Sequence, residues 1–181
     1  MRSILDLRSA FKNRLTVTNG VDTVQGYNLV TYSGGDIIAQ LLAGNNAYRI
    51  SHVAFEYENN AGAVTEPAAA RTDSVSSKLT ALSGIRDYVK AALSVSPSLS
   101  AGDGNHASNV ATFIATSTAS SGIHAVPFGP ANNSKVYAVS LLASPTGVNN
   151  ADVMFARYIL ASVLPAVGTG QVSATWSVAA I

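Results

Sequence analysis

The chain of 181 residues contains no cysteine. Disulfides, thiolate metal centres and thiol nucleophiles are thereby excluded, and no redox compartment is implied. Charge is scarce too. Asp, Glu, Lys and Arg make up 12% of the residues, about half the ~25% usual in soluble domains. The 11 basic residues nearly balance the 10 acidic ones, for a net charge of +1, too even to indicate nucleic-acid binding by overall charge alone. Long apolar runs are absent as well, so no transmembrane helix is expected. Met1 to Phe11 alternates charge with Leu and Ile. It lacks the continuous apolar stretch and small-residue cleavage site of a secretory signal.

What is present is apolar and small. Hydrophobic residues reach 48%, and the length suits one domain with a core of its own. We read residues 1–13 as an N-terminal arm and 14–181 as a single β domain. Too little charge to cover a monomer's surface points to a surface that meets other protein, as charge is depleted at interface cores. The arm is either a frayed end or short helix, or a segment packing on a neighbour through Leu5, Leu7 and Phe11.

Period-two alternation dominates. In the last segment Val172, Ala174, Trp176 and Val178 share one face, and Gln171, Ser173, Thr175 and Ser177 the other, the mark of a half-buried strand. Similar patterns fall at 14–18, 26–32, 48–57, 85–95 and 109–118, with a short strand expected near 78–82. Asn19-Gly20 signals a turn. Residues 135–143 and 152–164 are apolar on both faces, which suits the middle of a sandwich or a site beneath a partner. Tyr137, Val139, Leu141, Met154 and Tyr158 are therefore candidate assembly contacts.

A helix is expected at 34–43, with Ser33 as N-cap, Asp36 completing a capping box, Ile37, Ile38, Leu41 and Leu42 in one stripe, and Gly44 as terminator. The fold expected is mainly β: an antiparallel β-sandwich, jelly-roll-like, with an immunoglobulin-like sandwich and a flattened barrel behind it.

Chemistry is hard to find. His52, His106 and His124 have no ligand partner at metal spacing. Asp103-Gly104-Asn105 opens like a calcium loop, but the later ligand positions and closing Glu are missing. No nucleophile elbow, Walker loop or dinucleotide fingerprint occurs, so no cofactor and no enzyme activity are expected. Asp87 with Glu56, or Glu58 with Glu66, are possible carboxylate pairs, and solvated turn residues are the plainer reading. Arg2, Arg8, Lys12 and Arg14 make a basic opening that could touch nucleic acid or an acidic protein surface, but Asp6 interrupts it and its aromatic content is one Phe, so nucleic acid is the less favoured partner. Arg157 stands in an apolar strand. It either faces water at an edge or meets Asp152 or a carboxylate across an interface. Trp176 is read as a core anchor.

Several segments together resemble small structural proteins of tailed-bacteriophage heads, of the cement or decoration type. They are Asn28-Leu29-Val30-Thr31 leading into Gly35-Asp36-Ile37-Ile38-Ala39-Gln40-Leu41-Leu42-Ala43-Gly44; Asn109-Val110-Ala111-Thr112-Phe113; Asn133-Ser134-Lys135-Val136-Tyr137-Ala138; Asp152-Val153-Met154-Phe155-Ala156-Arg157; and the ending Val172-Ser173-Ala174-Thr175-Trp176-Ser177-Val178. The resemblance covers roughly 28–57 and 105–181, rests on structural punctuation, and leaves 61–104 unmatched. It implies a β-sandwich on the outer capsid surface of the virion, assembled in the host cytoplasm. It further implies a homo-oligomer, typically a trimer, that braces the major capsid protein, with no membrane partner and no catalytic residues. A tail, neck or baseplate protein would share these features. A receptor- or carbohydrate-binding sandwich, using the Tyr27–Tyr32 segment or the loop around His124 and Phe128, is the reading from another class.

Overall fold

The computed structural model describes residues 11–45, 47–59, 66–82, 84–94, 98–100, 110–145 and 151–180. In chain order the strands are β1 (Phe11–Thr18), β2 (Thr23–Tyr27), β3 (Leu29–Val30), β4 (Arg49–Glu58), β5 (Arg86–Ala92), β6 (Ser98–Ser100), β7 (Val110–Ser117), β8 (Ser120–Ser121), β9 (Pro127–Phe128), β10 (Lys135–Ser144), β11 (Val153–Pro165) and β12 (Val172–Ala180). Among the described residues one α-helix, α1 (Tyr32–Leu42), follows β3. Sheet A runs β2-β1-β12-β7-β6 and sheet B runs β3-β11-β10-β4-β5, while β8 and β9 form a small ribbon. All pairings are antiparallel. No helix among the described residues is long and apolar enough to cross a membrane.

The mainly β, antiparallel sandwich with one short helix is as expected. Its wiring differs in detail from a jelly roll, which sends most successive strands to opposite sheets. Here β1–β2, β4–β5 and β10–β11 stay paired within one sheet. Short polar turns favour that local pairing. Asn19 Oδ1 accepts the N–H groups of Val21 (2.9 Å) and Asp22 (2.7 Å), and Gly20 takes the left-handed backbone (φ +88°) that the first hairpin requires. Strand β1 already starts at Phe11, so residues 11–13, assigned above to the arm, belong to the sheet.

The inward faces close one core. Leu15 and Val17 of β1, Val53, Phe55 and Tyr57 of β4, Val139 and Leu141 of β10, and Val172, Ala174 and Trp176 of β12 are fully buried. The alternation read for the last strand therefore holds. Two seams join the sheets at their sides. Leu93, just past β5, bridges Ala115 of β7, and the Ser94 N–H donates to the Ile114 carbonyl at 2.8 Å. At the opposite side Tyr158 of β11 lies beneath Gly26 of β2, where a Cβ would stand 2.1 Å from the phenol oxygen, and its hydroxyl donates to the Gln25 carbonyl (3.3 Å).

Helix α1 begins two residues before its expected start. Thr31, not Ser33, is the N-cap: its Oγ1 accepts from the Gly34 N–H (3.0 Å) and donates to the Met154 carbonyl (2.5 Å). Strand β11 thus fixes the capping hydroxyl, leaving Ser33 in the first turn. Ile37 is buried, but Leu41 and Leu42 are 49% and 84% exposed. Only the first turns lie against β11, so the apolar stripe runs off the sheet. Gly44 terminates the helix with φ +82°, as expected.

The strand expected near 78–82 is instead one π-helical turn, Val75–Leu79. Ser74 and Ser77 cap it reciprocally: each side-chain oxygen accepts the other's N–H, at 3.1 and 3.0 Å. A serine-rich stretch supplies its own local hydrogen bonds and so competes with a β ladder.

Candidate functional site

Residues 66–82 cross the outer face of sheet B as a strap. Leu79 packs with Ala54, Tyr88, Leu142 and Met154, flanked by Val75 and Leu82. Beside this small apolar cluster lies a buried ionic one. The Arg157 Nε and Nη2 donate to Glu56 Oε1 (2.9 Å) and Oε2 (2.5 Å), reaching across the central strand β10. Ser140 of β10 donates to the same carboxylate (2.9 Å). From the strap, Asp73 accepts from Arg157 Nη1 (3.2 Å) and Glu66 from Nη2 (3.3 Å). Glu66 also meets Arg86 (3.3 Å) and Lys78 (3.5 Å), while Arg86 pairs with Glu58 (2.5 Å) and lies over the Tyr137 ring.

The electrostatics follow from this packing. Burial alone would lower the Arg157 pKa, but the Glu56 hydrogen bonds and the charges of Glu56, Asp73 and Glu66 outweigh it and hold it above the ordinary value. Burial, then the Glu56 charge, pushes the Tyr137 hydroxyl up. A second pair, Lys90 with Asp152 at 2.6 Å, lies further along the same face. His52 sits near it, and desolvation followed by the Lys90 charge lowers its pKa.

A third polar centre lies at the end of β5. Asp87, fully buried, accepts the N–H groups of Tyr88 (2.8 Å), His124 (2.8 Å) and Val126 (3.0 Å), and the His124 ring through Nδ1 (2.9 Å). The Ile123 N–H donates to the Tyr88 carbonyl (3.0 Å), and the Tyr57 hydroxyl to the Val126 carbonyl. Only glycine fits at 122, where a Cβ would lie 2.3 Å from Asp87 Oδ2. Asp87 anchors a turn and presents an oriented imidazole at the surface.

These sites account for most of the charge. Of the charged side chains described, only Arg14, Asp22, Asp36 and Arg49 are exposed. Among the described side chains the outer face of sheet A carries a single charge, Arg14. Its cross-strand rows are Thr23–Thr18–Ser173–Thr116, Gln25–Thr16–Thr175–Ile114 and Tyr27–Arg14–Ser177–Thr112. Neighbouring hydroxyls pair along it, Thr116 with Ser173 at 2.8 Å and Thr23 with Thr18 at 3.2 Å.

The residues singled out from sequence are distributed unevenly. Leu5, Leu7, His106 and the 103–105 segment lie outside the described residues, and Phe11 opens β1. Tyr137, Met154 and Arg157 are 2%, 1% and 1% exposed, and Val139 and Leu141 are fully buried. As contacts between copies these five are corrected to interior positions, because at them the strap or the opposite sheet already covers β10 and β11. Tyr158 is half-buried at the β2 seam. Arg157 finds its carboxylates within the chain, whereas Asp152 goes to Lys90. Glu58 and Glu66 meet only through Arg86 between them. Asp87 and Glu56 do not pair, since adjacent registers put them on opposite faces of sheet B. Among the described residues no three His, Asp or Glu side chains group as a metal site. Sequence reading missed the Glu56–Asp73–Glu66 set. A glutamate and an arginine on otherwise apolar strands were its only signal.

No protein-family model, no curated protein and no solved structure matches this chain.

Proposed function

We propose that the protein is a structural virion component of tailed phages, a cement or decoration protein that binds the outer capsid lattice and braces the head, acting as a trimer. The observation that carries this reading is the placement of charge. An already charge-poor chain spends its carboxylates and cations on interior pairs, leaving a surface that can pack on protein with little charge to desolvate. The exposed Leu41, Leu42 and Tyr32 of α1 offer apolar contact between copies. They take the part first given to Tyr137 and Met154. Weak binding of each copy, repeated over a lattice, would sum to a strong brace, and a closed ring of identical contacts suits such a unit.

The test is the absolute mass of the purified protein by light scattering after size exclusion, followed by addition to heads stripped of it. Trimers that rebind and raise the temperature of head rupture support the reading. A ring of six or more subunits moves the protein to the tail or neck. A monodisperse monomer with no affinity for heads ends the proposal.

A further inference from the structure

The two outer faces of the sandwich are treated differently by the chain. Sheet B is roofed by its strap. On sheet A nothing among the described residues covers the hydroxyl rows, and at the β2 end these rows finish in a small constellation with its own chemistry. Tyr27 is 78% exposed. It is the direct cross-strand partner of Arg14, so their Cβ atoms stand roughly 5 Å apart on one face. Arg14 Nη2 donates to Gln25 Oε1 at 2.6 Å. On the other side of Arg14 come Ser177 and then Thr112 in the same row.

The geometry points to this corner as a binding site for a carboxylate-bearing sugar, such as a uronic acid unit of an acidic polysaccharide. Arg14 is the reason for the charge. Arg157, Arg86, Lys78 and Lys90 each meet a carboxylate inside the chain, whereas Arg14 meets a neutral amide among the described residues. Its guanidinium keeps donors in a planar fork suited to a carboxylate. Tyr27 supplies an apolar ring face for the C–H side of a sugar, with a hydroxyl at its rim. Gln25, Ser177 and Thr112 offer hydrogen bonds that a sugar's own hydroxyls can exchange for those of water.

Other occupants fit less well. An apolar protein surface would strip water from a row of hydroxyls and return nothing. A nucleic acid strand needs several cations to displace its counterions, and the described side chains of this face include one. The corner is also held in place beforehand. Tyr158 fills the space beneath Gly26 and bonds the Gln25 carbonyl from the inner side, so little ordering is left for the ligand to impose.

The experiment titrates the intact protein with oligogalacturonate and, as a matched neutral probe, maltohexaose, followed by calorimetry and by backbone amide shifts. Wild type is expected to bind the acidic oligomer, with shifts confined to residues 14, 25, 27, 112 and 177, and not the neutral one. Arg14→Gln is expected to weaken binding about tenfold or more, the scale of one charge-assisted contact. Tyr27→Ala should weaken it comparably, and both exposed substitutions should leave the melting temperature unchanged. Absence of binding to oligogalacturonate and to an array of other acidic glycans overturns the proposal. So does binding that survives Tyr27→Ala, because that would be ion exchange at a lone cation. Equal affinity for the neutral oligomer does the same.

Discussion

Arg157 and Glu56 reach for each other over a strand that belongs to neither: their guanidinium and carboxylate close at 2.5 Å above β10, whose Ser140 donates to the same carboxylate. Three neighbouring strands and the strap are thus tied by side chains as well as by backbone. A buried pair of this kind seldom adds much net stability over an apolar replacement, but breaking it is costly, since the survivor is left charged and unpaired.

Arg157→Met should accordingly destabilise the protein by about 3–5 kcal/mol, stranding Glu56 and Asp73. The double variant Arg157→Met with Glu56→Leu should cost clearly less than the sum of the two single changes. Urea denaturation of all four proteins measures that coupling. Additive effects would mean the pair is not coupled.

The two glycines at the start of α1 predict opposite outcomes. At Gly34 a Cβ would lie 2.1 Å from the Phe155 carbonyl oxygen, which is backbone and cannot yield easily; at Gly35 nothing lies within 4 Å. Gly34→Ala should destabilise by about 1–3 kcal/mol or more as the helix is levered off β11. Gly35→Ala should stabilise by up to about 1 kcal/mol through helix propensity and a stiffer unfolded chain. Thermal melts of the pair decide it.

Asp87→Asn keeps the shape of the side chain but points an NH₂ group among N–H donors. Loss of charge-assisted acceptance of the Tyr88, His124 and Val126 amides should cost about 1.5–3 kcal/mol. It should also open the 122–126 turn to limited proteolysis before the rest of the chain unfolds. Cleavage that first appears elsewhere would contradict the anchoring role.

His52 makes a prediction in pH. Burial and Lys90 lower its pKa below the unfolded value of 6.5. The folded state therefore binds fewer protons than the unfolded state. The stability this histidine permits is whole above pH 6.5 and drains as pH falls below that value towards the folded pKa. His52→Gln should flatten this part of the stability curve relative to wild type. Denaturant midpoints taken at intervals through the window read the difference directly.

Much of the fold was legible in the sequence because alternation is a local signal. Leu15, Val17, Trp176 and their neighbours declare their faces without reference to any other strand. The ionic centre was not legible, because Glu56 and Arg157 lie 101 residues apart and only strand order tells which polar residues share a face. The shift of the N-cap from Ser33 to Thr31 has the same origin. Both residues can cap, and the choice falls to a carbonyl on β11. The polar corner around Tyr27 was half-visible, as an exposed aromatic, and Arg14 was read at the start of its strand, but only the register of β1 with β2 sets the two side by side.

The sides of the sandwich bear on what the proposed contacts between copies can use. The border strands β3 and β6 are two and three residues long, β5 gives its Tyr88 carbonyl to Ile123, and β2 gives its Gln25 carbonyl to Tyr158. Little continuous ladder is left for a stranger to extend. At these four borders the described residues offer neighbours side chains more than amides. In the proposed assembly, contacts between copies would then be discrete and reversible rather than growing into fibres.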